Sequence, residues 1–108
     1  MSENLLTLTD ANFQAEVLES SLPVLVDFWA QWCQPCLAMA PDLEAVAEQF
    51  AGRVRVGKLD VDQYQDIAGQ FNVQAMPTLL VFKNGVVAEQ RVGKLGRDAL
   101  AKLVEGVL

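Results

Sequence analysis

Apolar and polar residues follow two different periods along this chain. Short apolar runs predict β-strands at residues 4–8, 24–30 and 78–82, and residues 54–61 and 86–92 are predicted to be two further strands. Apolar residues spaced three and four apart predict helices at residues 11–18, 36–50, 64–71 and 97–107. The first of these helices should be capped by Thr9 and Asp10. The predicted order of elements is therefore β-α-β-α-β-α-β-β-α.

This order of elements predicts an α/β fold. The run at residues 24–30 is apolar on both faces apart from Asp27, which is typical of a central strand covered by helices on both sides. Strand–helix–strand units favour parallel strands joined by right-handed crossovers. Asn84-Gly85 is a strong hairpin signal, so residues 86–92 should return antiparallel. We predict one mixed sheet, of parallel strands plus an antiparallel hairpin, with helices on both faces, in a single domain spanning residues 1–108.

The composition narrows the classes of function. The formal net charge is −6, and the chain contains no histidine. Because a nucleic-acid surface needs clustered Lys and Arg, this acidic chain is not expected to have a nucleic-acid partner. No apolar run approaches the roughly 18 residues that would span a bilayer. The first residues also lack the basic segment and long apolar run of a signal peptide. We therefore expect a cytoplasmic protein that does not bind membranes.

Both cysteines of the chain lie in the motif Cys33-Gln34-Pro35-Cys36, between a predicted strand and a predicted helix. In the cytosol, where thiols stay mostly reduced, such a close pair is typical of a catalytic dithiol. Cys33 lies at or just before the start of the helix, where free N–H groups and the helix dipole should lower the pKa of its thiol. It should therefore attack the substrate, and Cys36, one turn further along, should resolve. Trp32 adds a flat apolar surface at the rim.

The alternative interpretation of the cysteine pair is a packed or metal-binding site. A zinc site needs four ligands, and the chain has two cysteines and no histidine. Only a dimer that shares two such motifs could hold zinc or an iron–sulfur cluster. We therefore predict a redox-active pair and no metal site.

Asp27 is the candidate general base. A lone acid in an apolar strand is most often a satisfied or strand-end residue. Burial would nevertheless raise the pKa of this carboxyl and make it a proton acceptor near neutrality. Lys58 shares one face of the next strand with Val54 and Val56, so it should point inward, toward Asp27.

The stretch VDFWAQWCQPC at residues 26–36 resembles the active-site segment of the thioredoxin family. The similarity continues in order and spacing at Pro41, KLDVD at 58–62, MPTL at 76–79, FKNG at 82–85 and VG at 92–93. It implies the thioredoxin fold and a monomeric protein-disulfide reductase that acts on disulfide-containing protein substrates. The redox-active disulfide would join Cys33 and Cys36, with no bound cofactor. Thioredoxin reductase would recharge it at the expense of NADPH.

The resemblance also implies roles for particular residues. Asp27 would help to deprotonate the buried cysteine, and Lys58 would tune that step. The Met76–Pro77 peptide bond would be cis and packed against the disulfide. An extended substrate segment would be held in a groove by strand-like hydrogen bonds. The residues assigned to this substrate surface are Trp32, Gln34, Pro35, Met76, Pro77, Val92 and Gly93.

Three positions depart from the commonest family pattern. Gln34 replaces a usual glycine, Leu37 a frequent lysine, and Ala75 often is glycine or serine. Because Leu37 brings no positive charge, the pKa of Cys33 should be slightly higher than in relatives with lysine.

Other functions built on the same domain are a thioredoxin-like holdase chaperone and a partner-binding module with secondary redox activity. Such chaperones usually carry a helical-repeat extension, which residues 1–108 do not contain, so we expect a reductase rather than a chaperone. A disulfide oxidase or isomerase would differ in potential and compartment rather than in motif.

Overall fold

A computed structural model describes residues 4–108. Its strands are β1 Leu5–Leu8, β2 Val24–Trp29, β3 Arg55–Asp60, β4 Thr78–Lys83 and β5 Val86–Val92. They form one sheet in the order β1-β3-β2-β4-β5. β1 and β2 pair parallel with β3, while β4 pairs antiparallel with both β2 and β5. The predicted mixed sheet is confirmed.

Helices lie on both faces of this sheet, as predicted. They are α1 Gln34–Gln49, α2 Gln65–Gln70 and α3 Arg97–Glu105, preceded by a π-helical segment at Gln14–Leu18. One core, which includes Leu25, Met39 and Leu100, lies between the sheet and the pair α1 and α3. A second core, which includes Phe28 and Ile67, lies on the opposite face under α2 and the π-helical segment. Since β2 is buried from both sides, its near-continuous apolar sequence is explained.

The first predicted helix was expected to be an α-helix, and the structure has a π-helical segment there instead. Thr9 accepts a hydrogen bond from the Asn12 N–H at 3.2 Å, and Asn12 Oδ1 accepts one from the Thr9 N–H at 2.7 Å. After that turn the backbone pairing changes to the π-helical pattern, and the Glu19 N–H donates to the carbonyl of Gln14, five residues earlier. An apolar pair four residues apart fits an α-helix and a π-helix equally well, so the pattern could not distinguish them.

The direction of β4 also differs from the parallel arrangement that a strand–helix–strand unit favours. Helix α2 has six residues, which is about 9 Å of helix, whereas crossing a six-residue strand needs about 20 Å. The chain therefore stays at the edge where β3 ended, and β4 starts there, with Thr78 opposite Phe28 near the end of β2. This reversal places the segment before β4 beside the residues that follow β2.

The β4–β5 hairpin is confirmed at Asn84-Gly85. Both residues have positive φ, 55° and 80°, as a tight two-residue hairpin turn requires. A Cβ atom at Gly85 would lie 2.8 Å from the backbone oxygen of Leu18. Glycine is therefore required there by both backbone conformation and space.

Candidate active site

Cys33 and Cys36 form a disulfide at the first turn of α1, with their Cα atoms 5.3 Å apart. Cys33 is the N-cap residue in an extended conformation, and a proline lies in the first turn after it, where a missing N–H costs no hydrogen bond. The Cys36 N–H donates to Cys33 Sγ at 3.2 Å. This bond would stabilise a negative charge on Cys33 in the reduced form.

The exposed fractions of the two cysteines, 4% and 3%, do not separate an attacking from a shielded sulfur. Their surroundings do. Cys33 Sγ lies 3.5 Å from the carbonyl oxygen of Met76, in the loop before β4. Cys36 instead lines the cavity that contains Asp27.

The loop before β4 and the end of β5 meet next to the disulfide. The Met76–Pro77 bond is cis, as the resemblance implies. The Gly93 N–H donates to the Pro77 carbonyl at 2.9 Å, and Val92 pairs with Thr78 across the hairpin. Four of the residues assigned to the substrate surface are thus held together by backbone contacts, beside Cys33.

The other assigned residues belong to the cysteine loop and the start of α1. Trp32 is 64% exposed, and its Nε1–H donates to Asp62 Oδ2 at 2.8 Å. Gln34 and Pro35 are exposed. The disulfide is therefore surrounded by accessible side chains, with a large indole at one side.

Asp27 and Lys58 are direct partners in the register of the parallel strands β2 and β3. Asp27 is 4% exposed, and burial raises the pKa of its carboxyl from 3.8 to about 7, a rise that the nearby positive charge of Lys58 limits. The Oδ1 atom of Asp27 has no hydrogen-bond partner among residues 4–108. Lys58 Nζ lies 5.2 Å from the centre of the Trp29 ring. The inward direction predicted for Lys58 and the raised pKa predicted for Asp27 both agree with this arrangement.

A cavity of about 140 Å³ connects this pair with the second cysteine. Its lining consists of apolar side chains and three charged ones, namely Leu5, Asp27, Trp29, Cys36, Leu37, Ala40, Leu43, Glu44 and Lys58. A cavity of this size with polar groups has room for several water molecules. It joins the buried carboxyl to the sulfur that a base would have to deprotonate.

Sequence reasoning missed two residues that contact the cysteine loop, Asp60 and Asp62. Asp62 holds Trp32, and Asp60 Oδ2 accepts a hydrogen bond from Gln31 at 3.2 Å. A usable signal was present, since Asp60 and Asp62 come at the end of a strand predicted to run parallel to β2. Carboxyl ends of parallel strands meet at one edge of a sheet, where α/β proteins place their sites.

The described residues contain neither a metal-binding cluster nor a helix that could cross a membrane. Within residues 4–108, no group of three or more His, Cys, Asp or Glu side chains is arranged to hold a metal ion. In the same range, no helix has both the length and the apolar character needed to cross a membrane.

A disulfide between i and i+3 at a helix N-terminus, with a backbone N–H directed at the first sulfur, is the reactive group of a thiol–disulfide oxidoreductase. A family model described as Thioredoxin matches residues 4–106. The chain belongs to the thioredoxin family, and it is a protein-disulfide oxidoreductase.

Individual proteins that are similar to this chain support the family assignment. The chain is 47% identical to Thioredoxin C-2 of Corynebacterium nephridii over 105 residues, 97% of each chain. It is 43% identical to a thioredoxin of Pseudomonas aeruginosa over 105 residues, again 97% of each chain. It is 45% identical to a thioredoxin of Haemophilus influenzae over 104 residues, 96% of each chain.

Proposed function

We propose that this protein reduces disulfide bonds in protein substrates, with Cys33 as the attacking and Cys36 as the resolving residue. The observation that carries the proposal is the position of Cys33 Sγ, which accepts the Cys36 N–H at the start of α1 and faces the substrate-side loop at Met76. A sulfur so placed is stabilised as a thiolate and lies beside the loop along which a substrate segment would bind.

In the first step the Cys33 thiolate attacks one sulfur of the substrate disulfide. The substrate S–S bond breaks, a mixed disulfide forms, and the second substrate sulfur leaves as a thiolate that takes up a proton. In the second step the Cys36 thiolate attacks Cys33 Sγ, which restores the Cys33–Cys36 disulfide. The first substrate sulfur then leaves as a thiolate. The substrate gains two electrons and the protein loses two.

Asp27 is the proposed proton acceptor for Cys36. With a pKa of about 7, this carboxyl can take a proton and return it near neutral pH. Water in the cavity that both residues line would carry the proton between them. Lys58 tunes the step, because its positive charge favours the ionised form of Asp27.

The proposed substrate surface consists of seven residues around the disulfide, of which Pro77 is buried, Met76 and Gly93 are half-buried, and Trp32, Gln34, Pro35 and Val92 are exposed. The backbone of Met76 and the loop at Val92 and Gly93 would line a groove for an extended segment, with Pro77 beside the disulfide. Trp32, Gln34 and Pro35 would flank it on the side of α1. Since main-chain hydrogen bonds do not read side chains, such a surface accepts many protein disulfides.

Regeneration of the dithiol is proposed to occur through thioredoxin reductase, with NADPH as the source of the two electrons. NADPH would act on the reductase and would not bind this chain. We further propose that residues 1–108 work as one monomeric domain in the cytoplasm.

The test is NADPH-coupled reduction of insulin with and without a thioredoxin reductase. The wild-type protein should sustain turnover only with the reductase. Cys33→Ser should abolish it, and Cys36→Ser should accumulate a mixed disulfide with the substrate, visible on a non-reducing gel. Turnover that survives Cys33→Ser would refute the mechanism. Binding of unfolded proteins that survives in the double serine variant, with no turnover in the wild type, would favour a holdase chaperone instead.

A further inference from the structure

Two side-chain hydrogen bonds connect the cysteine loop to the end of β3 and the loop that follows it. Gln31 Nε2–H donates to Asp60 Oδ2 at 3.2 Å, and Trp32 Nε1–H donates to Asp62 Oδ2 at 2.8 Å. Consecutive residues of one loop thus bind two carboxylates of the other. The second bond determines the position of the indole beside Cys33.

Asp60 links these two connections to each other. It is 6% exposed, and its Oδ1 atom accepts the backbone N–H groups of Asp62 at 2.9 Å and of Gln63 at 3.4 Å. A buried carboxylate is retained when its oxygens are hydrogen-bonded, and both oxygens of Asp60 are. The same carboxylate therefore orders the backbone that carries Asp62 and binds the residue before Trp32.

These side-chain bonds add little to the joining of the two segments, which the backbone already achieves. The Val61 N–H donates to the Trp29 carbonyl at 2.9 Å, and this backbone bond already joins the end of β3 to the end of β2. The side-chain bonds instead end on Gln31 and Trp32, which are exposed and pack in neither core. An exposed indole has several rotamers open to it unless a hydrogen bond selects one.

We propose that Asp60 is a positioning residue for substrate recognition, which holds Trp32 in place through Asp62 and Gln31. The inference rests on the proposed substrate surface, of which Trp32 is part. Asp60 does not touch the substrate or the cysteines. It acts on the affinity for protein disulfides and leaves the chemistry of the dithiol unchanged.

The test compares Asp60→Ala with Asp60→Asn, and uses Asp66→Ala as a control that removes one negative charge from an exposed position on α2. Second-order rate constants are measured for the reduced proteins with insulin and with hydroxyethyl disulfide, which has no polypeptide segment for the substrate surface to bind. Asp60→Ala should react about fivefold more slowly with insulin, the effect of losing one hydrogen bond. Its rate with hydroxyethyl disulfide should be unchanged, as should both rates of the control.

Asp60→Asn should restore most of the insulin rate. Its Oδ1 atom still accepts the two backbone N–H groups, and the Gln31 amide can turn so that its carbonyl accepts from the new NH₂ group. In NMR spectra the indole N–H signal of Trp32 should move in Asp60→Ala and stay in place in Asp60→Asn. A merely stabilising role would lower resistance to denaturant without moving either readout.

Trp32→Ala separates failure of this inference from failure of the proposed surface. If Trp32→Ala slows insulin reduction and Asp60→Ala does not, the inference is overturned and the surface stands. If Trp32→Ala has no effect, both are overturned. Equal losses with both disulfides in Asp60→Ala also contradict a positioning role. Should Asp60→Ala not fold, Gln31→Ala breaks one link at an exposed position, and an unchanged insulin rate in that variant overturns the inference.

Discussion

Asp27 and Lys58 are register partners on the adjacent strands β2 and β3, yet the Asp27 Oδ1 atom has no hydrogen-bond partner among residues 4–108. Burial raises the pKa of Asp27 to about 7, and Lys58 opposes that rise. A fully paired carboxylate would be held ionised and would be a poor proton carrier at neutral pH. The incomplete pairing is what suits Asp27 to accept and release a proton.

Asp27→Asn should slow the resolving step about tenfold or more at pH 8, because a positioned general base is lost. The wild-type rate should rise with pH through about 7, the pKa of Asp27, since only the ionised carboxyl accepts a proton. The variant should lack this inflection. Stopped-flow decay of the mixed disulfide between pH 5 and 9 measures both effects, and an identical profile in the two proteins would exclude the base role.

Lys58→Met should move the same inflection to higher pH. The positive charge of Lys58 lowers the pKa of Asp27, so its removal leaves the effect of burial unopposed, and the rate at pH 7 should fall about threefold. Lys58→Arg should keep the wild-type profile. Lys102→Met, which removes an exposed positive charge from α3, is the matched control. An inflection that stays in place in Lys58→Met would mean that the two side chains are not coupled.

The stability of the oxidised protein should fall as the pH rises from about 4 to about 7. The pKa of Asp27 is about 7 in the folded state, against 3.8 for an ordinary carboxyl, so the folded state binds more protons in that window. Asp27→Asn should remove this dependence and be more stable than the wild type above pH 7, by on the order of 4 kcal/mol. Below pH 4 the two should be equal. Urea unfolding at pH 4 and pH 8 measures the difference, and equal stabilities at pH 8 would contradict the raised pKa.

Leu37→Lys should increase the thiolate fraction of Cys33. Leu37 is exposed in the first turn of α1, where its N–H donates to the Cys33 carbonyl, and a positive charge there favours a nearby anion. Because the position is exposed, the effect should be about twofold and should disappear in high salt. The rate of iodoacetamide alkylation at pH 6 in a Cys36→Ser background measures it. Leu37→Gln controls for polarity alone, and equal rates with lysine and glutamine would contradict the prediction.

The features that could be predicted from the sequence depend on residues near one another in the chain. Short apolar runs and helical apolar spacing located the strands and the three α-helices, and Asn84-Gly85 located the hairpin, because burial of apolar side chains and a positive φ depend on residues near one another in the chain. The dithiol and its place between a strand and a helix were also evident. The upward shift of the Asp27 pKa could also be predicted, since a carboxyl in an apolar central strand is desolvated.

The features that only the tertiary structure decided depend on distances between segments far apart in the chain. Helix α2 is too short to cross the sheet, so β4 runs antiparallel to β2 and brings Met76 to within 3.5 Å of Cys33 Sγ. The cavity beside Asp27 and the contacts of Asp60 with the cysteine loop arise from the same convergence. The motif Cys33-Gln34-Pro35-Cys36 predicts thiol–disulfide chemistry, because the reactivity of a cysteine at a helix N-terminus depends mainly on neighbouring residues. The cavity that connects Cys36 to Asp27, and the contacts of Asp60 and Asp62 with the cysteine loop, depend on packing between segments that are distant in the chain.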